Sequence, residues 1–232
     1  GCSFYEIGEC GAMIDGGDRS LLTAGNNAVE NCTFSKTGSI LKTNTPAIKL
    51  YGCGNAARYN TVTKTPHLAI SFAGNDLVIE YNEIYDCQTE GIHDAGIIYS
   101  GRSLATLGNE IRYNYIHDIS AGIGMIYLDD LLSGQKVYSN IFENVTTAYY
   151  VNGGVWNRFE NNLVLNSKAG ALIRGKGSAE NWNTTPEPTA ESNYFIYTLL
   201  KFPYKSDVWQ SKYGNVLSYV DNKQNAVPEH SI

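Results

Sequence analysis

The phrase apolar-x-x-Asn-x-apolar recurs along the chain, and no other feature constrains the fold as tightly. It reads ARYNTV to Val62, VIEYNEI to Ile84, EIRYNYI to Ile116, KVYSNIF to Phe142 and RFENNLV to Val164, and more weakly AESNYF to Phe195. VENCTF to Phe34 and GCSF to Phe4 fit when cysteine takes the asparagine's place. The anchors are then Cys2, Cys32, Asn60, Asn82, Asn114, Asn140, Asn162 and Asn193, spaced 22 to 32 residues apart. A second phrase follows the anchors: AMIDGG, AIKLYG, AISFAG, GIIYSG, GMIYLDD, AYYVNGG and ALIRGKG. Each starts from a small residue, alternates like a strand and runs into a turn signal. Helical periodicity is nearly absent.

Short strands on a recurring unit with one stacked polar position specify an all-β fold, a right-handed parallel β-helix of about seven to eight coils. A single coil cannot bury its apolar edge, so neighbours must stack on it. Residues 1–200 are expected to form this solenoid and residues 201–232 a less regular tail packed against it. Gly1-Cys2-Ser3-Phe4 opens inside a repeat, so further N-terminal coils are expected, and that part of the same protein is an expected partner. Two places before four anchors sit Glu30, Arg58, Glu80 and Arg112. Acid and base should alternate along one solvent-facing column, each pair worth at most about 1 kcal/mol. The anchor asparagines read as architecture, tolerating left-handed corners and bonding to backbone there.

Composition narrows the partners. A net charge of −6 argues against a nucleic-acid binder, which needs excess Lys and Arg. No apolar run approaches the roughly 20 residues of a membrane span. Five cysteines cannot all pair and none shows metal-ligand spacing, so free thiols are expected.

In a solenoid, function is expected where residues exceed the minimal coil, because core positions are committed to packing. The Asn82 coil is swollen on both sides of its strand and its successor on one. These swellings hold Glu90, His93 and Asp94, then Arg102, then Asp129 and Asp130. Aligning the strands puts Arg102 beside Asp130 on the next coil and His67 beside Asp94. Asn152 follows one coil later, placed to bond a sugar hydroxyl. Together they describe a cleft for a polar ligand, with no resident metal. Tyr99 and Tyr127, at equivalent strand positions, read as stacked core aromatics. Trp156 and Trp209 are the better sugar platforms by residue type.

HLAISFAGNDLVIEYNEIYD, DAGIIYSGR, GNEIRYNYIHDI, IYLDD, SGQKVYSNIF and VNGGVWNRFENNLV follow one another in an order that resembles glycoside hydrolase family 141. That family comprises right-handed parallel β-helix proteins with α-L-fucosidase and xylanase among their activities. The likeness covers about residues 60 to 220 and includes the tail FPYKSDVWQSKYGNVL. It implies hydrolysis of a plant or microbial polysaccharide by a secreted, periplasmic or cell-surface protein without a cofactor. Its D-A-G-x-I-Y and Y-L-D-D motifs place the catalytic acids at Asp94 and at Asp129 or Asp130. The loop SLATLG after Arg102 departs from the acid and tryptophan of similar proteins.

Glycoside hydrolysis uses two carboxyl groups across the scissile bond. Asp94 and Asp129, however, stand seven residues apart in the strand alignment, roughly 23 Å on a straight strand. Only a bend or a concave cleft brings them together. Two other readings fit the same residues. One is a polysaccharide lyase on an acidic glycan, with the acids at 129 and 130 holding Ca²⁺; the other is a non-catalytic carbohydrate-binding solenoid.

Overall fold

Each coil closes at a sharp corner, and one residue in the left-handed region makes the turn. Asn31, Tyr59, Tyr81, Tyr113, Ser139 and Asn161 do so with φ of 54 to 57°. These residues precede the anchors; the anchors themselves are spared that conformation, contrary to the expectation from sequence. The reason is that the anchor side chain has another task, inside the coil. A computed structural model describes residues 1–90, 94–174 and 194–221. In it Asn60, Asn82, Asn114 and Asn140 are each 1% exposed. The backbone N–H and Nδ2 of Asn82 both donate to Asn114 Oδ1, at 3.0 and 2.9 Å, and Asn82 Nδ2 also donates to the Ala57 carbonyl. Asn60 repeats this with Asn82, Asn114 with Asn140, and Asn140 with Asn162. At the outer rung Cys32 substitutes, its Sγ accepting from the Cys2 N–H at 3.3 Å. Asn193 lies outside the described residues.

Between corners the described residues form three parallel sheets, two of seven strands and one of six, so they make about six turns where the sequence led to an expectation of seven to eight. The first wall runs from Ser3–Tyr5 to Leu163–Leu165 and the third from Ala28–Glu30 to Arg158–Glu160. The second wall stacks Ala12–Ile14, Ile48–Cys53, Ile70–Asn75, Gly96–Gly101, Gly124–Asp129, Thr147–Asn152 and Ala169–Arg174. Inward-facing Phe34, Val62, Ile84, Ile116 and Phe142 of the first wall meet Ile70, Ile98, Ile126 and Ile111 from the others in one continuous core.

The predicted charge column is in register, Glu30 beside Arg58, Glu80 and Arg112 in turn. Arg58 bonds Glu30 at 2.7 Å and Arg112 bonds Glu80 at 2.8 Å. Only the first pair is open to solvent; Glu80 is 8% exposed. The corner between the second and third walls holds another amide ladder, which the repeat phrase did not announce. Asn109 Nδ2 donates to Gln135 Oε1 at 2.9 Å, and the Gln135 N–H to Asn157 Oδ1 at 3.0 Å. Its signal was in the sequence: Asn55, Asn109, Gln135 and Asn157 each stand five places before an anchor.

The last described strand ends at Arg174. The described tail is helical, α1 being Tyr194–Leu200 and α2 Asp207–Asp221. Leu199, Trp209, Tyr213 and Leu217 pack on Leu104, Ala105, Leu107 and Leu131, which lie in the loops after the second wall. Trp209 is fully buried and donates its indole N–H to the Arg19 and Ser20 carbonyls. It clamps the tail and offers no face to a sugar.

Candidate active site

The outer face of the second wall carries two columns of side chains. In one, Lys49, Ser71, Tyr99, Tyr127, Tyr150 and Leu172 stand in register; in the other, Tyr51, Ala73, Gly101, Asp129 follow one another, and Asn152 lies beside Arg174. Tyr99 and Tyr127 therefore lie outside the solenoid core, contrary to their expected place in it. Tyr127 meets both Tyr99 and Tyr150 edge-to-face, at 5.3 and 4.9 Å between centroids.

Asp129 lies at the centre of this face and is 6% exposed. Its Oδ1 accepts from the Tyr127 hydroxyl at 2.9 Å, from Asn152 Nδ2 at 2.8 Å and from the Asp130 N–H at 2.8 Å. Its Oδ2 accepts from the Tyr99 hydroxyl at 2.9 Å. Oδ1 thus takes three donors and Oδ2 only one, so Oδ2 keeps a lone pair free. Burial, and then the adjoining carboxylate, push both phenols well above the usual tyrosine range, so they stay protonated donors. Among the described residues Asp129 has no ion pair. A buried charge held only by dipoles is costly, and such sites are found where chemistry requires them.

Asp94 reaches the same spot from the opposite end of the wall. The Tyr127 hydroxyl oxygen that bonds Asp129 lies 3.5 Å from Asp94 Oδ1. A bend in the strands removes the straight-strand distance. The ladder pairs Gly96 with Gly124 and Ile98 with Ile126 but passes over Ile97 and Met125. Ile97, Ile98, Met125 and Ile126 are all fully buried in the core, so two consecutive residues face inward and alternation fails there. Beyond the bend, Tyr127 leans back over Gly96, where a Cβ would stand 2.4 Å from Tyr127 Cβ. Gly124 does the same for Tyr150 at 2.6 Å. The small residue that opens these strand phrases is thus the floor on which the next coil's tyrosine lies. Gly96→Ala is expected to cost about 1–3 kcal/mol by forcing Tyr127 off that floor. Gly170→Ala, where a Cβ meets nothing within 4 Å, should be silent. Urea denaturation of the two variants checks this.

The remaining predicted residues divide. Asp130 turns to Arg102, accepting its Nε–H at 2.9 Å, while the Arg102 side chain is 69% exposed at the rim. Asn152 donates to both Asp129 and, at 3.4 Å, Asp130, leaving its buried Oδ1 without a hydrogen-bond partner among the described residues. His67 is 4% exposed, and burial lowers its pKa and keeps the ring neutral. Its Nδ1 accepts the Asn44 N–H, so Nε2 carries the proton and donates to the Asp94 carbonyl at 3.2 Å. Both of its nitrogens are thus engaged by backbone groups, and His67 holds the Asp94 backbone in place. Glu90 is not brought to the cluster at all. It pairs with Lys42 at 2.9 Å beside a separate hollow lined by Lys64 and Pro66. His93 lies outside the described residues.

A larger hollow, about 600 Å³ and lined in part by Trp156, opens between α2 and the third wall. Its acids are neutralised, Asp76 by Lys212 and Glu110 by Arg112 and Lys136. Among the described residues no three carboxylate, imidazole or thiol groups gather as a metal site would require.

Stacked parallel walls with polar and aromatic groups concentrated on one outer face define a three-walled β-solenoid with a surface groove. A family model described as a right-handed β-helix region matches residues 1–129 and 40–195, and the chain belongs to that family. No curated protein and no solved structure matches the chain.

Proposed function

We propose that this protein is a glycoside hydrolase that cleaves a polysaccharide lying across the second wall, with Asp129 as nucleophile and Asp94 as acid and base. The observation that carries the reading is the single Tyr127 hydroxyl set between the two carboxylates. The facing oxygens are no farther apart than those two contacts laid end to end. The route proposed is the retaining, two-step one, in which the second carboxylate acts as nucleophile. In the first step Asp129 attacks the anomeric carbon while Asp94 protonates the departing oxygen. In the second, Asp94 takes a proton from water, and the hydroxide so formed releases the sugar from Asp129. Tyr99, Tyr127 and Asn152 hold the nucleophile still, which limits reorganisation during attack.

Asp94 is exposed and makes no ion pair among the described residues, so Asp94→Asn tests the proposal without disturbing the fold. Release of reducing sugar from a panel of aryl glycosides and plant polysaccharides is expected to fall about 10²–10⁴-fold in this variant, the span for losing a general acid–base. Equal turnover in the two proteins, or no turnover by the wild type on any member of the panel, rejects the reading. Ultraviolet absorbance from unsaturated uronate products would select a lyase instead.

A further inference from the structure

Beside the carboxylates, on the N-terminal side, the second wall dips into a trough of about 360 Å³. Small residues make its floor: Ser71, Ala73 and Gly101. Tyr99 closes it next to Asp129, and Lys49 and Tyr51 stand at the far side. The two tyrosines differ in their engagement. Tyr99 is committed to Asp129 and Tyr127, whereas Tyr51 has no ring partner among the described residues. Lys49 is half-buried, lies on the outer face and makes no ion pair among the described residues. Lys36 and Lys42 are taken up by Glu6 and Glu90, whereas the Lys49 ammonium is left to the trough that it lines.

We infer that this trough is an anionic-sugar subsite, in which Lys49 binds the carboxylate of a uronic acid residue of the substrate while Tyr51 lies along its ring. Lys49 is two rungs from Tyr99, roughly 10 Å at the spacing of parallel strands. A sugar one or two residues removed from the cleaved bond reaches it. One ammonium fits one carboxylate, so the favoured substrate carries isolated uronates and is not a dense polyanion, which the surrounding acids would repel. The inference rests on the hydrolase reading only for the position of the cleaved bond; binding of the uronate is independent of turnover.

Calorimetric titration with a xylo-oligosaccharide bearing a single glucuronic acid, and separately with its methyl ester, tests it on the full chain and on Lys49→Ala and Lys49→Arg. The wild type should prefer the free acid, Lys49→Ala should lose that affinity by about tenfold or more, and Lys49→Arg should keep most of it. The methyl ester should bind all three alike. Matched thermal unfolding of the three proteins excludes a folding defect at this surface position. Equal affinity of wild type and Lys49→Ala for the free acid overturns the subsite, as does failure of the acid to bind the wild type. A Lys49-dependent titration without turnover by the wild type would retain the subsite and reject the hydrolase. Turnover of neutral glycosides with no effect at Lys49 would do the reverse.

Discussion

Asp129→Asn is expected to leave the protein as stable as the wild type while lowering glycosidase turnover about 10³-fold. Both halves follow from the hydrogen bonds. An amide oxygen placed at Oδ1 keeps all three of its donors, from Tyr127, Asn152 and the Asp130 N–H. The amide nitrogen then faces the Tyr99 hydroxyl, which can turn and accept, because a hydroxyl is donor and acceptor alike. What disappears is a charge at 6% exposure with no ion pair among the described residues. Urea denaturation should therefore show a change within about 1 kcal/mol, or a gain, since neutral hydrogen bonds net about that much and the charge was costly to bury. Loss of activity without loss of stability marks a residue retained for chemistry. A variant that is several kcal/mol less stable yet still turns over substrate would make Asp129 a structural strut and move the nucleophile elsewhere.

The sequence carried the coil repeat, the wall register and the charge pairs between rungs, because each is a matter of counting along stacked rungs. Arg58 on Glu30 and Arg102 on Asp130 came out of alignment alone. Four things were hidden, for distinct physical reasons. The bend at Ile97 and Met125 looks like continuous apolar alternation in the sequence, and only the skipped pairings reveal it. Without that bend, Asp94 and Asp129 could be paired by resemblance but not by geometry. The outward placement of Tyr127 depends on Gly96 letting its ring lie down, as Gly124 does for Tyr150, which no periodicity encodes. Glu90 shares a swelling with Asp94 but leaves in another direction, since residues on one insertion need not face one space. Finally, α2 follows no marked amphipathic pattern, and its place is set by a few anchors, Trp209 above all.

The largest structural effect is expected inside the solenoid, at a residue with no part in the chemistry. Asn114 donates through Nδ2 to the carbonyls of Ile79 and Arg112 and to Asn140 Oδ1, and accepts at Oδ1 from the N–H and Nδ2 of Asn82. All of this takes place at 1% exposure, where water cannot replace a missing partner. Asn114→Leu keeps the volume and deletes these contacts, which amount to four full bonds because Nδ2 carries two hydrogens, stranding the buried Asn82 N–H. At about 1 kcal/mol for each bond the loss is about 4 kcal/mol, a quarter or more of the stability of an ordinary domain. Asn162→Leu provides the comparison. That side chain accepts the same two bonds from Asn140 and donates to the Val137 and Glu160 carbonyls, but it is only partly buried, near the end of the stack. Water can take over some of those bonds, so its cost should be less than half that of Asn114→Leu. Because a solenoid's stability is close to a sum over neighbouring rungs, loss at a central rung also divides the stack, and the unfolding transition should broaden. Guanidinium denaturation of both variants reads the two costs directly. A loss under about 1 kcal/mol at Asn114 would mean that apolar packing alone sets the rungs, and the amide ladder would be a consequence of the coil and not its cause.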